Sequence, residues 1–297
     1  MTNTAVAHGP VAERRRGEAW TASMLLGPAT IFIAVCLLAP LAYLFRYSLN
    51  DFVAAKKMMV EAVTIANYIK FFTDPYYTTI LWTTVRIAVL VTAACLVLAF
   101  PLAYVVARTQ SRFKNLLIIS IVLPLFVGNS VRAAGWMVVF GNKGFVNATL
   151  LGLGVISAPI EIMFTEKAVV IGIIAVNLPF MVLSLQSVIE GIDRAVEEAA
   201  FSLGAPPITM FRRVLWPLAL PGIIAGTILC FILAMNAYAT PFLLGGPLFK
   251  MMSPLIYNEF TQKTNWPFGG AIAFILMTVT LGLTVAANLI LSRRAAR

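Results

Sequence analysis

Six stretches of about twenty or more residues carry almost no charge, and that pattern leaves a chain like this few folds to choose from. They cover residues 24–44, 78–107, 116–140, 168–189, 214–241 and 268–291; only Arg86 and Arg132 interrupt them. A helix rising ~1.5 Å per residue crosses the ~30 Å hydrocarbon layer of a bilayer in about twenty residues. With 60% hydrophobic and 11% charged residues, the chain is excluded from the water-soluble classes. The expected fold class is an all-α polytopic membrane protein of six transmembrane helices. The first run is too long for a signal-peptide core of roughly 7 to 15 residues and is read as a retained anchor, with Pro40 as a kink.

Basic residues set the expected orientation. Arg14, Arg15 and Arg16, the turn with Arg108, Arg112 and Lys114, the loop with Arg194, Arg212 and Arg213, and the end with Arg293, Arg294 and Arg297 hold twelve in four short stretches. The three other loops, 48–77, 141–167 and 242–267, are longer and hold seven, with Arg46 just before the first of them. The positive-inside bias places both termini and the 191–213 loop in the cytoplasm. The domain expectation is a cytoplasmic tail at 1–19, a six-span domain at 20–292 and a cytoplasmic tail at 293–297. Aromatic pairs Phe71-Phe72 and Tyr76-Tyr77 are expected at headgroup level. Leu243 to Pro247 reads as an outer turn or partly re-entrant segment.

Catalytic and metal chemistry find little support. Cys36, Cys95 and Cys230 lie in apolar runs of different segments and read as small hydrophobes, and His8 is the only histidine. No Walker-type glycine loop is present, so the chain is not expected to bind and split ATP by itself. The pI of about 9.8 follows from membrane topology, and no basic groove suggests nucleic acid.

The most polar loop, 191–213, reads GIDRAVEEAAFSLGAPPITMFRR. Ala195, Ala199 and Ser202 share a helical face so small-sided that another surface could approach the backbone. Gly204 is expected in the left-handed conformation that ends a helix, and Pro207 can open a second one over Ile208 to Arg213. Glu198-Ala199-Ala200, Gly204 four residues on, and Val214-Leu215-Trp216-Pro217 after nine more resemble the EAA loop of ABC importer permeases. Val214 and Trp216 replace that pattern's isoleucine and leucine. The stretches GNKGFVN, PIEIMFTEKAVVIG, NLPFMVLSLQSVIEGID, PLALPGIIAGTI and WPFGGAI are similar to the polyamine branch, the putrescine and spermidine permeases, so the resemblance covers roughly residues 24 to 292.

The resemblance implies a MetI-like core of five helices behind an added N-terminal helix, in the bacterial inner membrane. It also implies a heterodimer with a second related permease, two cytoplasmic ATPase subunits that bind ATP and Mg, and a periplasmic solute-binding protein. Glu197, Glu198, Ala199, Ala200, Gly204 and Pro217 then become the ATPase-coupling loop, tied to the fourth and fifth spans.

The solute pathway is expected among the few polar groups of the spans, since such groups are costly unless they face a partner or a wet cavity. Asn129, Arg132 and Trp136 share a face of the third span, Asn177 and Ser184 of the fourth, and Asn236 and Thr240 of the fifth. The ordinary alternative is that they bond neighbouring helices. Arg86 and Arg132 could reach an interface, pair with Glu161 or Glu166, or face the cavity. The spans hold no carboxylate away from their cytoplasmic ends, so an amino-acid conjugate or opine-like solute stands beside putrescine and spermidine. A secondary transporter would show paired broken helices or intramembrane acids, and a membrane enzyme a cluster of His, Asp or Glu; neither is read here.

Overall fold

The computed structural model describes residues 11–53, 58–247 and 249–295. His8, residues 1–10 of the expected N-terminal tail and Arg297 lie outside the described residues. Four helices are long and apolar enough to cross a membrane: α1 (Val11–Ser48), α3 (Pro75–Arg108), α7 (Glu166–Glu190) and α14 (Trp266–Ala295). Two bent helix pairs raise the number to six if each counts as one span. Helix α1 begins at Val11, inside the expected tail at 1–19.

Local chemistry sets the boundaries. The Asp74 carboxylate accepts from the Tyr76 N–H at 2.9 Å and Pro75 occupies the first helical position, so α3 starts there. Thr165 caps α7 by accepting from the Ala168 N–H at 3.3 Å. Between α1 and α3 lie a hairpin of β1 (Asp51–Val53) and β2 (Met58–Val60), antiparallel with Phe52 opposite Met59, and α2 (Ala66–Thr73). Arg46 and Asn67 tie this cap down: Arg46 Nη1 donates to Ala62 O at 2.9 Å, and Asn67 Nδ2 to Asn50 O at 2.8 Å. The aromatic pairs divide here. Phe71 and Tyr77 are buried and stack at 5.9 Å, with Tyr77 edge-on to Phe268 at 4.9 Å; only Phe72 and Tyr76 are exposed.

The third run is not one straight span. It divides into α4 (Lys114–Val122), a 3-10 turn (Leu123–Phe126), α5 (Asn129–Phe140) and α6 (Phe145–Gly152), with a 100° bend between the two halves. Pro124 has no N–H to continue the α4 ladder, and Gly128 stands at the N-cap of α5 in an extended conformation. The fifth run is also broken. After α8 (Arg194–Ser202) the chain forms α9 (Pro207–Met210), a π turn (Phe211–Leu215), α10 (Trp216–Leu218) and α11 (Leu220–Met235), bent by 71°. It restarts as α12 (Ala239–Leu244), and α13 (Met252–Thr261) precedes α14. Helix α11 has ended at Met235, and Pro241 falls in the first turn of α12, where its missing N–H breaks no bond. Asn236 and Thr240 therefore do not share a helical face, contrary to the spacing.

Helices α3, α7 and α11 form the centre of the bundle. Small residues set how close they come. A Cβ on Gly226 would lie 2.7 Å from Met181 Sδ and 3.3 Å from Ser184 Cβ, and one on Gly222 3.0 Å from Val188. Without a hydrophobic force between helices in lipid, this close packing supplies the association. Cys95 and Cys230 are buried in the same interior, whereas Cys36 is exposed on α1. Helix α1 stands apart from the trio and packs on α14, where Phe45 meets Phe274 at 5.2 Å.

Gly226→Val is expected to lower stability by about 1–3 kcal/mol through overpacking against α7. Gly135, whose added Cβ would meet nothing within 4 Å, should tolerate alanine. Thermal unfolding of the detergent-purified variants checks both, and equal midpoints would refute the packing argument.

Candidate functional site

The 191–213 loop folds as the residues dictate. Asp193 caps α8 by accepting from the Ala195 N–H at 3.0 Å. Gly204 has φ +78°, the Ala205 N–H bonds Ala200 O at 3.1 Å, and the Gly204 N–H bonds Phe201 O at 2.9 Å. This is the paired closing motif of a helix whose next residue turns left-handed. Pro207 then opens α9. The expected second helix ends early as an α-helix, because Pro217 cannot bond Arg213 O and the turn before it widens to the π form. Ala195, Ala199 and Ser202 are all exposed along α8, beside Phe201, Leu203 and, on α9, Ile208.

The two glutamates of the loop have opposite surroundings. Glu198 is exposed, whereas Glu197 is buried at 6% exposure. Glu197 Oε1 accepts from Arg108 Nε at 2.8 Å and from Arg108 Nη2, while Glu197 Oε2 accepts from the Tyr104 hydroxyl at 2.8 Å. Arg108 also donates to Ile192 O at 3.0 Å, and Arg194 donates back to Arg108 O at 2.5 Å. Further along the chain, Lys114 meets Glu190 at 2.7 Å. An aromatic trio makes a second tie: Phe100 of α3 stacks on Trp216 at 5.6 Å and meets Phe211 edge-on at 4.9 Å. Ala200 is half-buried and Pro217 exposed. The loop is thus fastened to the end of α3, in addition to its covalent links to α7 and α11. Sequence reasoning missed Tyr104, and counted Arg108 only as a topology charge; an arginine and a tyrosine four residues apart on one face were the available signal.

The polar faces separate into different surroundings. Asn129 and Arg132 bond each other on α5, and Arg132 Nε and Nη1 are buried with no hydrogen-bond partner among the described residues. Trp136 stacks on Phe140 at 4.8 Å. Asn177 is buried and donates to Cys230 O at 3.3 Å, a bond between α7 and α11. Ser184 lies under Gly222 and Gly226 at that same contact. Thr240 is buried, its Cγ2 2.6 Å from where a Gly172 Cβ would stand. Asn236 lines a cavity between α11, α13 and α14. No hydrogen bond joins one expected face to another among the described residues.

Other charges lie near the end that bears the hairpin. Arg86 meets Glu166 at 2.5 Å, both well exposed. Glu259 of α13 is buried at 1% exposure and accepts from Lys263 Nζ at 2.6 Å. Burial works against the Lys263 ammonium, but the hydrogen bond and charge of Glu259 outweigh it and raise Lys263 above the ordinary lysine range.

Removing one side of the Arg108–Glu197 pair leaves a buried charge uncompensated, which costs about 3–5 kcal/mol. Glu197→Ala should therefore depress the unfolding midpoint strongly and expose 194–213 to protease. Arg86→Ala, which breaks an exposed pair worth about 0–1 kcal/mol, should not. Equal effects would show that the loop is not held by this contact.

Comparison with known proteins bears on the whole chain. The spermidine/putrescine transport system permease protein PotB of Haemophilus influenzae is 37% identical over 235 residues, covering 78% of this chain and 82% of that protein. PotB of Escherichia coli is 38% identical over 220 residues, 74% of this chain and 79% of that one. Among solved structures, a chain of a bacterial alginate ABC transporter, in complex with alginate pentasaccharide-bound periplasmic protein, superposes with a TM-score of 0.78. It is 18% identical, covers 95% of this chain and 97% of its own, and supports the fold alone. A chain of the MetNI methionine ABC transporter gives 0.57 at 16% identity, over 75% of this chain and 100% of its own. The family described as binding-protein-dependent transport system inner membrane component matches residues 58–296, and the chain belongs to that family.

Proposed function

We propose that this chain forms half of the solute pathway of an ATP-driven importer, alongside a second related permease, and that α8 and α9 receive the work of a cytoplasmic ATPase pair. ATP and Mg are bound on those ATPase subunits, and the solute arrives on a periplasmic binding protein. The observation that carries the reading is an exposed face of small residues, Ala195, Ala199 and Ser202, on a loop fastened to three membrane helices at once. An exposed face delivers nothing if its base is loose, and here the base is held by a buried ion pair and an aromatic trio. Glu198 is exposed on that face, where it can meet a basic residue of the ATPase.

The solute class that the relatives support is a polyamine, putrescine or spermidine. A second reading, an amino-acid or opine-like solute, draws on one observation: the Arg132 guanidinium, with two unpartnered donors, suits a carboxylate. Both readings keep the same orientation, with α8 and both termini in the cytoplasm and the hairpin outside.

In a cysteine-free background, a cysteine at Val63 should label from outside intact cells with an impermeant thiol reagent. One at Leu203 should label only after permeabilisation; the reverse pattern would invert the topology. These positions are 81% and 88% exposed, so access within the chain limits neither.

Gly204→Val tests the coupling loop. Nothing lies within 4 Å of the added Cβ, so the cost is that of a β-branched residue at φ +78°, about 1–2 kcal/mol, together with a redirected α9. Transport by the reconstituted complex should fall more than tenfold although the protein still inserts. Glu198→Ala should cost only a few-fold. Wild-type solute-stimulated ATP hydrolysis and ATPase co-purification in Gly204→Val would refute the mechanical role.

A further inference from the structure

A cavity of about 450 Å³ lies between α11, α13 and α14, lined by Asn236, Ser253, Thr280 and Thr284 among apolar side chains such as Ile232 and Met277. Its size falls in the range of small-molecule sites, about 300–1,000 Å³. Two of its threonines differ from several others of the bundle. Within apolar helices a threonine hydroxyl ordinarily donates to the carbonyl four residues back. Thr84, Thr92 and Thr227 do so at 2.7–2.8 Å, and Thr278 of the same α14 does so to Phe274 O at 2.8 Å. Thr280 Oγ1 and Thr284 Oγ1 are buried and have no hydrogen-bond partner among the described residues, although the same backbone carbonyls lie within one turn. Thr280 is only 7% exposed. Such a buried orphan hydroxyl costs about 1–3 kcal/mol unless something else meets it.

The electrostatics of the cavity have a sign. None of its lining residues is ionised, so no side-chain cation opposes a positive guest. Helix α11 ends at Met235, and its C-terminal carbonyls carry the negative end of a 16-residue helix dipole. Asn236, at the cap of that helix, uses its Nδ2 on Ile232 O at 2.9 Å, which leaves Oδ1 as an acceptor. Residues 236–238 leave the helix between α11 and α12, and irregular backbone at membrane depth is tolerated where it lines a cavity. An ammonium has three donors and no acceptor; the hydroxyls of Thr280, Thr284 and Ser253 and the amide oxygen of Asn236 supply acceptors without a counter-charge.

The geometry points to this cavity as a solute site for a short aliphatic amine: the ammonium head meets Thr280, Thr284 and Asn236 at the end of α11, and the methylene chain lies along Ile232, Ile256 and Leu276. The neutral lining holds the head without an ion pair, so the amine can leave again during transport. The assignment rests on the importer reading above and names the site within it. It uses Asn236 from the expected pathway and adds Ser253, Thr280 and Thr284, which the sequence does not single out, because a threonine in an apolar helix ordinarily bonds its own backbone.

The test uses the complete complex reconstituted in liposomes, with radiolabelled putrescine and spermidine as probes. Thr280→Val and Thr284→Val keep the shape and remove one hydroxyl each; every one is expected to raise the KM for uptake about tenfold or more, and the pair to abolish saturable uptake. Thr280→Ser restores the hydroxyl and should restore most of the affinity. The second permease and the ATPase should co-purify with every variant. Wild-type KM in both valine variants overturns the site while leaving the importer reading intact. Loss of the second permease from the valine variants overturns it too, because the threonines would then bond across the chain interface. Uptake of neither amine by the wild-type complex overturns both the ligand class and the polyamine reading.

Discussion

Everything that the 191–213 loop is proposed to do depends on one contact, the fork of Arg108 closed on one carboxylate oxygen of Glu197. Two charges removed from water are expensive, and the interaction is favourable only where further hydrogen bonds satisfy them. Here Tyr104 takes the second carboxylate oxygen and Ile192 O takes another guanidinium donor. The fork is planar and holds direction as well as distance. A lysine at 108 could match the charge without fixing the angle at which α8 leaves the bundle. The contact lies at the last residue of the 34-residue α3, so a displacement of α8 reaches α3 directly through the side chains.

This arrangement changes which spans the loop can move. Covalent continuity alone connects it to α7 on one side and α11 on the other. The ion pair and the Phe100, Phe211 and Trp216 cluster add α3, the third member of the central trio. Of those three, α7 and α11 pack through Gly222 and Gly226, whose Cβ atoms would collide with Val188 and Met181, and α3 meets them with buried alanines such as Ala88, Ala99 and Ala103. Close contacts of that kind shift as blocks rather than deform continuously. The loop is therefore coupled to a rigid body, and the softer places lie at the breaks, 127–128 and 236–238, where regular backbone stops.

What the sequence made legible was local. Gly204 could be placed in the left-handed region because only its own backbone is involved, and the Ala200 to Ala205 bond followed from helix geometry. The long runs could be read as membrane helices because hydrocarbon demands it. The 100° bend at the third run was hidden because hydropathy does not distinguish a straight span from a folded one; Pro124 and Gly128 were present, but prolines also sit inside α1, α3 and α7 without ending them. Glu197 and Glu198 are adjacent in an acidic pair and differ only in which neighbour the fold brings to them. Asn177 was equally ambiguous: an amide in a span can face a solute or a neighbouring helix, and the Cys230 carbonyl 53 residues away decides it.

The difference between Asn177 and Thr280 carries the last step. Both are buried polar groups in apolar helices, so both carry a desolvation cost, but Asn177 recovers it from Cys230 and Thr280 finds no partner among the described residues. A hydroxyl buried among apolar helices with no partner carries that cost until a partner meets it, and a solute that comes and goes is such a partner. Tight permanent bonding would hold a transported molecule in place, and an ion pair in a dry cavity would hold it harder still. A neutral site of hydroxyl and amide oxygens at the end of a helix gives a cation enough replacement for its hydration to enter, and little enough to leave. The same reasoning fits the placement of Glu166, Glu190, Glu197 and Glu259, each paired with lysine or arginine and none of them lining that cavity.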